Sequence, residues 1–355
     1  MNKPNADETS AKQPRVVIAD DSAFMRRLIT DTLQHNGLDV VAVAANGREA
    51  LDACKQHAPD VLCLDLAMPE LDGIAVLREL GKDSKIRVVV VSSFSEENGM
   101  RAVDALNEGA FDLVPKLAGR GKLHDFTDQL VEKVLAAVAT TLSSEASGQA
   151  IAPVTSRATG SAATAPTASG PRAVVVASST GGPRVLTAII TALPATIGLG
   201  VVVVQHMPAG FTQSLAARLD GASAIGVHEA TDGVKLDANS VLVAPGGRHT
   251  HLVGNQIELT DEPAIGGLRP CADVTIADVV ETYGANVLLV VLTGMGRDGQ
   301  AGARLVRAAG GMVIAQNGAS CTVYGMPRAV IEAGLADLVL PIEELAQAIA
   351  KHSNG

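Results

Sequence analysis

Two sets of residues in this 355-residue chain have the types and spacing for chemistry. The first is ASSTGGP, Ala177 to Pro183, between the apolar runs AVVV and RVLTAII. Such a small-residue turn could cradle a phosphate, hold a nucleophile or serve only as a helix cap. A P-loop needs GxxxxGK followed by Ser or Thr, but Pro183 and Arg184 follow Gly182 and no lysine is present. The register A-x-S-x-G is close to the strand-to-helix elbow that exposes a serine hydroxyl, and it picks out Ser179 rather than Ser178. A serine needs a base, and His206 ends the next apolar run, VVVVQHMP. The base needs a carboxylate to hold its tautomer, and Asp298 in LTGMGRDG follows the most apolar run, NVLLVVL. The glycines of that loop leave backbone amides free, as an oxyanion hole requires.

The second set lies at the ends of other apolar runs. Asp20 and Asp21 follow VVIA, Asp65 follows VLCL, Ser92 follows VVVV and Lys116 follows DLVP. If those runs are parallel strands, three carboxylates, a hydroxyl and an ammonium converge on one rim. Clustered carboxylates repel unless a hard cation such as Mg²⁺ neutralises them. A phosphoryl group on one of them would be held by the metal, the lysine and the hydroxyl.

The elements that must position these residues are legible as a rhythm. In the first half, RVVIAD, VVAVAA, VLCLDL, RVVVVSS and FDLVPK alternate with amphipathic stretches such as SAFMRRLITDTLQ and GREALDACKQH. Continuously apolar runs fit parallel strands buried on both faces, and five strands with five helices predict a flavodoxin-like doubly wound sheet. The second half repeats the rhythm with AVVVASS, GVVVVQH, SVLVAP, NVLLVVLTG and GMVIAQN, and THLVGNQIELT reads as a β-hairpin around Gly254-Asn255. The expected architecture is therefore α/β, two doubly wound domains, the second a parallel sheet with a hairpin excursion. Residues 139–172, rich in Ala, Ser, Thr and Gly with prolines at 153, 166 and 171, read as a flexible linker between domains spanning 15–138 and 173–350. Residues 1–14 read as a disordered lead.

Composition excludes several functions. Aromatic residues make up 2% of the chain, with no Trp, so stacking on nucleic-acid bases is disfavoured. The formal net charge of −10 disfavours non-specific binding to DNA or anionic membrane. The four cysteines, Cys54, Cys63, Cys271 and Cys321, form no CxxC and read as buried thiols in a reducing compartment. No apolar run reaches about 18 residues and the first residues lack a signal-peptide core, so a cytoplasmic location is expected. His228 lies in the alternating run IGVHEA, and His249 and His251 form a lone HxH without a metal-spaced partner.

Residues 15–138 resemble the response-regulator receiver domain through DDS at 20–22, LDLAMPELDG at 64–73, VSS at 91–93 and PK at 115–116. The resemblance implies phosphorylation of Asp65 by a partner histidine kinase. It also implies Mg²⁺ on Asp20, Asp21, Asp65 and the Ala67 carbonyl, with Ser92 as switch hydroxyl and Lys116 as phosphate-pairing lysine. Leu117 stands where receivers commonly have proline after that lysine. Whether the Lys116–Leu117 peptide is cis is left open.

Residues 173–350 resemble the catalytic domain of the chemotaxis protein-glutamate methylesterases through SSTGG, QHMPAGFT, APGGRH, RPCADV and LTGMGRDG. Ala177 and Ser178 stand where that family has glycine and alanine. The resemblance implies a serine hydrolase with Ser179, His206 and Asp298 as triad and the amides of Thr180 and Met295 as oxyanion donors. It implies hydrolysis of glutamate methyl esters on methyl-accepting chemoreceptors and deamidation of receptor glutamines, with no cofactor in this domain, no nucleic-acid partner and membrane contact only through the receptors. Two rival readings stay open. Gly294, Gly296 and Gly299 spell the dinucleotide GxGxxG, although the next strand ends in Gln316-Asn317 rather than the acid that would bind ribose. Alternatively, the second half only docks a partner in a phosphorylation-dependent way.

Overall fold

The computed structural model describes residues 13–81, 84–116, 123–146 and 170–354. The N-terminal half runs β1 (Arg15–Ala19), α1 (Ala23–His35), β2 (Asp39–Ala44), α2 (Gly47–His57), β3 (Val61–Leu64), α3 (Gly73–Leu80), β4 (Arg87–Ser92), α4 (Glu96–Glu108), β5 (Asp112–Pro115) and α5 (Leu123–Ala146). The strands are parallel in the order β2-β1-β3-β4-β5, the flavodoxin-like order. Four of its helices begin on a side-chain cap: Ser22, Asn46, Asp72 and Ser95 each accept the amide three residues on, which satisfies an otherwise orphaned N–H.

The C-terminal half runs β6 (Ala173–Ser178), α6 (Gly182–Ile190), β7 (Val201–Gln205), α7 (Phe211–Asp220), β8 (Gly226–Glu229), β9 (Ser240–Val243), β10 (His249–Val253), β11 (Gln256–Thr260), α8 (Ala272–Tyr283), β12 (Val287–Val291), α9 (Gln300–Ala308), β13 (Met312–Gln316), α10 (Met326–Glu332), β14 (Leu338–Leu340) and α11 (Ile342–Ser353). Seven strands form one parallel sheet in the order β14-β13-β12-β6-β7-β9-β8. The Val-rich central strands β6, β7 and β12 are wholly buried. The chain order reverses at β6, between β7 and β12, so the ligand crevice is expected beyond their carboxyl ends. β10 and β11 form the antiparallel hairpin.

Four boundaries differ from the sequence reading. α5 continues to Ala146, so residues 139–146 of the stretch read as linker are helical. Ala, Leu and Glu sustain a helix there, and Gly148 and Pro153 come only after it. Arg172 is buried in the second domain, where its amide and guanidinium reach the carbonyls of Ser353 and His352, and α11 carries that domain past residue 350. Pro14, read as part of the lead, accepts the Asp39 amide. Residues 1–12, 147–169 and the Lys116–Leu117 peptide lie outside the described residues. Among the described residues, no helix is long and apolar enough to cross a membrane.

Candidate active site

Three neighbouring strand ends deliver Ser179, His206 and the loop that holds Asp298. Ser179 follows β6 and His206 follows β7, with Ser178 in register with Gln205. On the other side of β6, Val291 of β12 pairs Ala177. Backbone bonds continue the sheet past its last residues: the Ser179 amide donates to Thr293 O at 3.0 Å and the His206 amide to Ser178 O at 3.0 Å. Gly294 lies so close to the serine that an added Cβ would sit 2.7 Å from Ser179 Cβ. The glycine loop is thus pressed against the serine, and where it leaves the sheet Gln316 accepts the Thr293 amide at 2.8 Å.

Asp298 is the anchor of the site. Its Oδ2 lies 2.7 Å from His206 Nε2 and also accepts the Ala272 amide at 2.6 Å. Its Oδ1 accepts the Asp273 amide and the Gly299 amide, both at 2.9 Å, and the Cys271 thiol at 3.3 Å. α8 lacks a side-chain cap of its own, so Asp298 caps it from across the chain, at the end where its dipole favours negative charge. Burial alone would raise the Asp298 pKa. The His206 ring and the Ala272 and Asp273 amides outweigh burial and hold it at about 2. Asp298 is therefore ionised at neutral pH and only accepts, so His206 Nε2 donates to it and Nδ1 is the ring nitrogen left for other partners. Cys271 is pushed up to about 12, first by burial and then by the Asp298 charge, so it is present as a thiol donor.

The two serines differ in environment. Ser178 is fully buried, and its hydroxyl donates to Gln205 Oε1 at 2.7 Å. Ser179 is half-buried, and among the described residues no hydrogen bond engages its Oγ, that to His206 included. Thr180 and Met295, whose amides are the expected oxyanion donors, lie on the two loops that meet at Ser179. Neither amide is bonded to an acceptor among the described residues. Met295 is half-buried and Thr180 buried. The Thr180 hydroxyl donates to Asp112 Oδ2 at 2.5 Å.

The acidic rim of the first domain also assembles. One oxygen each from Asp20, Asp21 and Asp65 lie within 4.8 Å of one another. Lys116 Nζ donates to Asp65 Oδ2 at 2.7 Å and forms an ion pair with Asp20 Oδ2 at 2.8 Å. Burial raises the Asp20 pKa against the opposing pull of Lys116. Burial disfavours the Lys116 ammonium, but hydrogen bonds and charge from Asp20 and Asp65 outweigh it and raise its pKa. Ser92 is buried at the end of β4, and Ala67 is exposed after β3, its amide 3.3 Å from Asp65 Oδ1.

The domains meet through α4, which packs on α6 and α7. Phe94 stands edge-on to Phe211 with ring centroids 5.2 Å apart, Arg218 pairs Asp104 at 2.9 Å, and Thr187 donates to Asn107 at 3.0 Å. Neither the residues of this interface nor the roles of Gln205, Cys271 and Asp112 at the site were read from the sequence. Gln205 did leave a signal: a polar residue closing a strand buried on both faces must find partners.

Residues 174–349 match the CheB methylesterase family and residues 16–128 the response regulator receiver domain. A protein-glutamate methylesterase/protein-glutamine glutaminase of Symbiobacterium thermophilum is 43% identical over 348 residues, covering 95% of this chain and 96% of its own. The protein of that name from Archaeoglobus fulgidus is 38% identical, covering 95% and 97%. The crystal structure of the Thermotoga maritima CheB methylesterase catalytic domain aligns with 52% of this chain and 99% of its own, at 44% identity and a TM-score of 0.50. With this identity sustained across both domains, the chain belongs to the protein-glutamate methylesterase/protein-glutamine glutaminase family.

Proposed function

We propose that the chain is a phosphorylation-controlled serine hydrolase that removes methyl groups from glutamate side chains of chemoreceptors and deamidates receptor glutamines. The carrying observation is the 2.7 Å pair of His206 Nε2 with Asp298, one strand away from Ser179. Ser179 Oγ attacks the γ-carbonyl carbon of the methylated glutamate while His206 Nδ1 takes its proton. The oxyanion is held by the Thr180 and Met295 amides. The intermediate collapses as His206 passes the proton to departing methanol, leaving a glutamyl ester on Ser179. Water then attacks that ester, its proton passing through His206 to Ser179 Oγ, and glutamate is released. A receptor glutamine follows the same course with ammonia leaving. Asp298 stays ionised throughout and stabilises the imidazolium.

In the first domain, the reading assigns phosphoryl transfer from a histidine kinase to Asp65. The donor set of three carboxylates and the Ala67 carbonyl fits Mg²⁺, a hard cation that takes oxygen ligands. Asp20, Asp21 and Asp65 bring their oxygens within 4.8 Å of one another, with the Lys116 ammonium against Asp20 and Asp65 as the cation now facing them. When bound, Mg²⁺ neutralises charge on the incoming phosphoryl group. Lys116 pairs the phosphoryl oxygens and Ser92 turns toward them. Ser92 is two residues from Phe94, which packs on Phe211, so movement of the switch reaches the domain interface directly.

Methanol release from methylated receptor membranes, measured with and without acetyl phosphate and Mg²⁺, tests the reading. Release that rises with the phosphoryl donor, together with labelling by a serine-directed fluorophosphonate, is expected. No release and no labelling would leave a docking module.

A further inference from the structure

Gln205 is buried at the end of β7, immediately before His206. Its side chain makes three hydrogen bonds, each to a residue of the candidate active-site turns. Oε1 accepts from Ser178 Oγ at 2.7 Å. Nε2 donates to the carbonyl of Ser179 at 2.9 Å and to the carbonyl of His206 at 3.0 Å. The orientation of the amide is unambiguous. Carbonyls only accept, so the face toward Ser179 and His206 must be the amino group, and the face toward Ser178 the oxygen. A Cβ on Gly182 would lie 2.0 Å from Oε1, so the first turn of α6 closes over the amide.

We propose that Gln205 is a positioning residue for the reaction: its one amino group sets the spacing between the residue that carries the nucleophile and the residue that carries the base. This rests on the reading of Ser179 and His206 in those roles. A trigonal NH₂ directs its two hydrogens about 120° apart. At the observed bond lengths this holds the Ser179 and His206 carbonyl oxygens roughly 5 Å from each other. The backbone ties His206 to Ser178 O through its amide at 3.0 Å, and Ser179 O also accepts the Gly182 amide at 2.7 Å; Gln205 Nε2 is the donor that the Ser179 and His206 carbonyls share. Among the described residues, Gln205 is the side chain that hydrogen-bonds both the serine turn and the histidine turn. Ser178 fixes the amide from behind, so its own proton is committed to Oε1.

The test uses the full-length chain, methylated receptor membranes and a fluorophosphonate probe that counts competent serines, so kcat is expressed per labelled site. Gln205→Met keeps length and bulk and loses all three bonds. Gln205→Glu keeps the acceptor for Ser178 and loses the two N–H donors. A misplacement of about 1 Å in reacting groups costs on the order of 10²-fold in rate, so kcat per site is expected to fall about 100-fold in both variants, with KM within twofold of wild type. Probe labelling should slow in parallel. The proposal is overturned if kcat per site stays within threefold in either folded variant, or if the loss appears in KM. It is also overturned if both variants unfold, because Gln205 then holds the fold rather than the site. Failure of the probe to label wild type would instead overturn the assignment of the nucleophile.

Discussion

Thr180, the residue after Ser179, donates its side-chain hydrogen bond to Asp112 of the other domain at 2.5 Å. Asp112 opens β5 and also pairs Lys133 of α5 at 2.7 Å. The receiver therefore reaches the turn that holds the candidate nucleophile, and α4 seals the contact by packing on α6 and α7. If this docking restricts access to Ser179, loosening it should raise activity while the His206–Asp298 pair stays in place.

Removing a docking contact should release activity without any phosphoryl donor. An aromatic edge-to-face pair contributes about 0.5–1.5 kcal/mol beyond its burial, and 1.4 kcal/mol is a tenfold change in an equilibrium. Phe94→Ala is thus expected to raise initial methanol release from receptor membranes up to about tenfold. Release unchanged from wild type would show that docking does not limit access.

The serine register is tested by a pair of variants. Ser179→Ala should abolish esterase activity, a loss on the order of 10⁶ in kcat where the analogous nucleophile has been removed. Ser178→Ala should keep most of it, because it removes only the bond to Gln205 Oε1 and leaves both Gln205 N–H donors on the Ser179 and His206 carbonyls. Exchange of the two behaviours would move the nucleophile by one residue.

Much of this arrangement was legible in the sequence because buried parallel strands advertise themselves as Val-rich runs, and because a residue directly after such a run must emerge at the carboxyl rim. Ser179, His206, Asp65 and Lys116 were found in that way. β8 and β14 were not, since both are short edge strands, paired on one side and only partly buried, so neither carries a continuous apolar run. The end of α5 was missed because Ser and Thr in TTLSSEA read as linker composition, although nothing there breaks a helix. Gln205, Cys271 and Asp112 act through partners 27, 27 and 68 residues away. Only the assembled sheet brings those pairs together.

Asp298→Asn should fold and yet be a poor enzyme. An amide turns its NH₂ or its oxygen toward His206 without fixing the tautomer, and the analogous change elsewhere costs about 10⁴ in kcat. Stability carries a second signature. The Asp298 pKa is held at about 2, below the ordinary 3.8. A depressed carboxylate adds stability that is complete above about pH 4 and is lost as pH falls through about 2, here about 2 kcal/mol. Urea unfolding should find wild type more stable than the variant at pH 7, with the gap closing between pH 4 and pH 2. A gap independent of pH would remove the charge of Asp298 from the account.

The last expectation concerns Asp65. In the structure its Oδ2 is occupied by Lys116 Nζ at 2.7 Å, and the same ammonium pairs Asp20. A phosphoryl group on Asp65 adds negative charge and strong acceptor oxygens at that point. Lys116 follows the new charge, and Ser92 at the end of β4 gains an acceptor. Because Phe94 lies two residues beyond Ser92 and packs on Phe211, the pull on β4 acts on the contact that closes the domains. Asp65→Asn removes the acceptor carboxylate but leaves α4, Phe94 and Asp112 in place. It should keep wild-type basal methanol release and lose the response to acetyl phosphate with Mg²⁺. Phe94→Ala combined with Asp65→Asn should retain the raised basal rate, since undocking then no longer depends on the phosphoryl group. If Asp65→Asn still responds to acetyl phosphate, the acceptor lies elsewhere on the rim. If the double variant falls back to the basal wild-type rate, the receiver promotes catalysis by some route other than leaving the crevice.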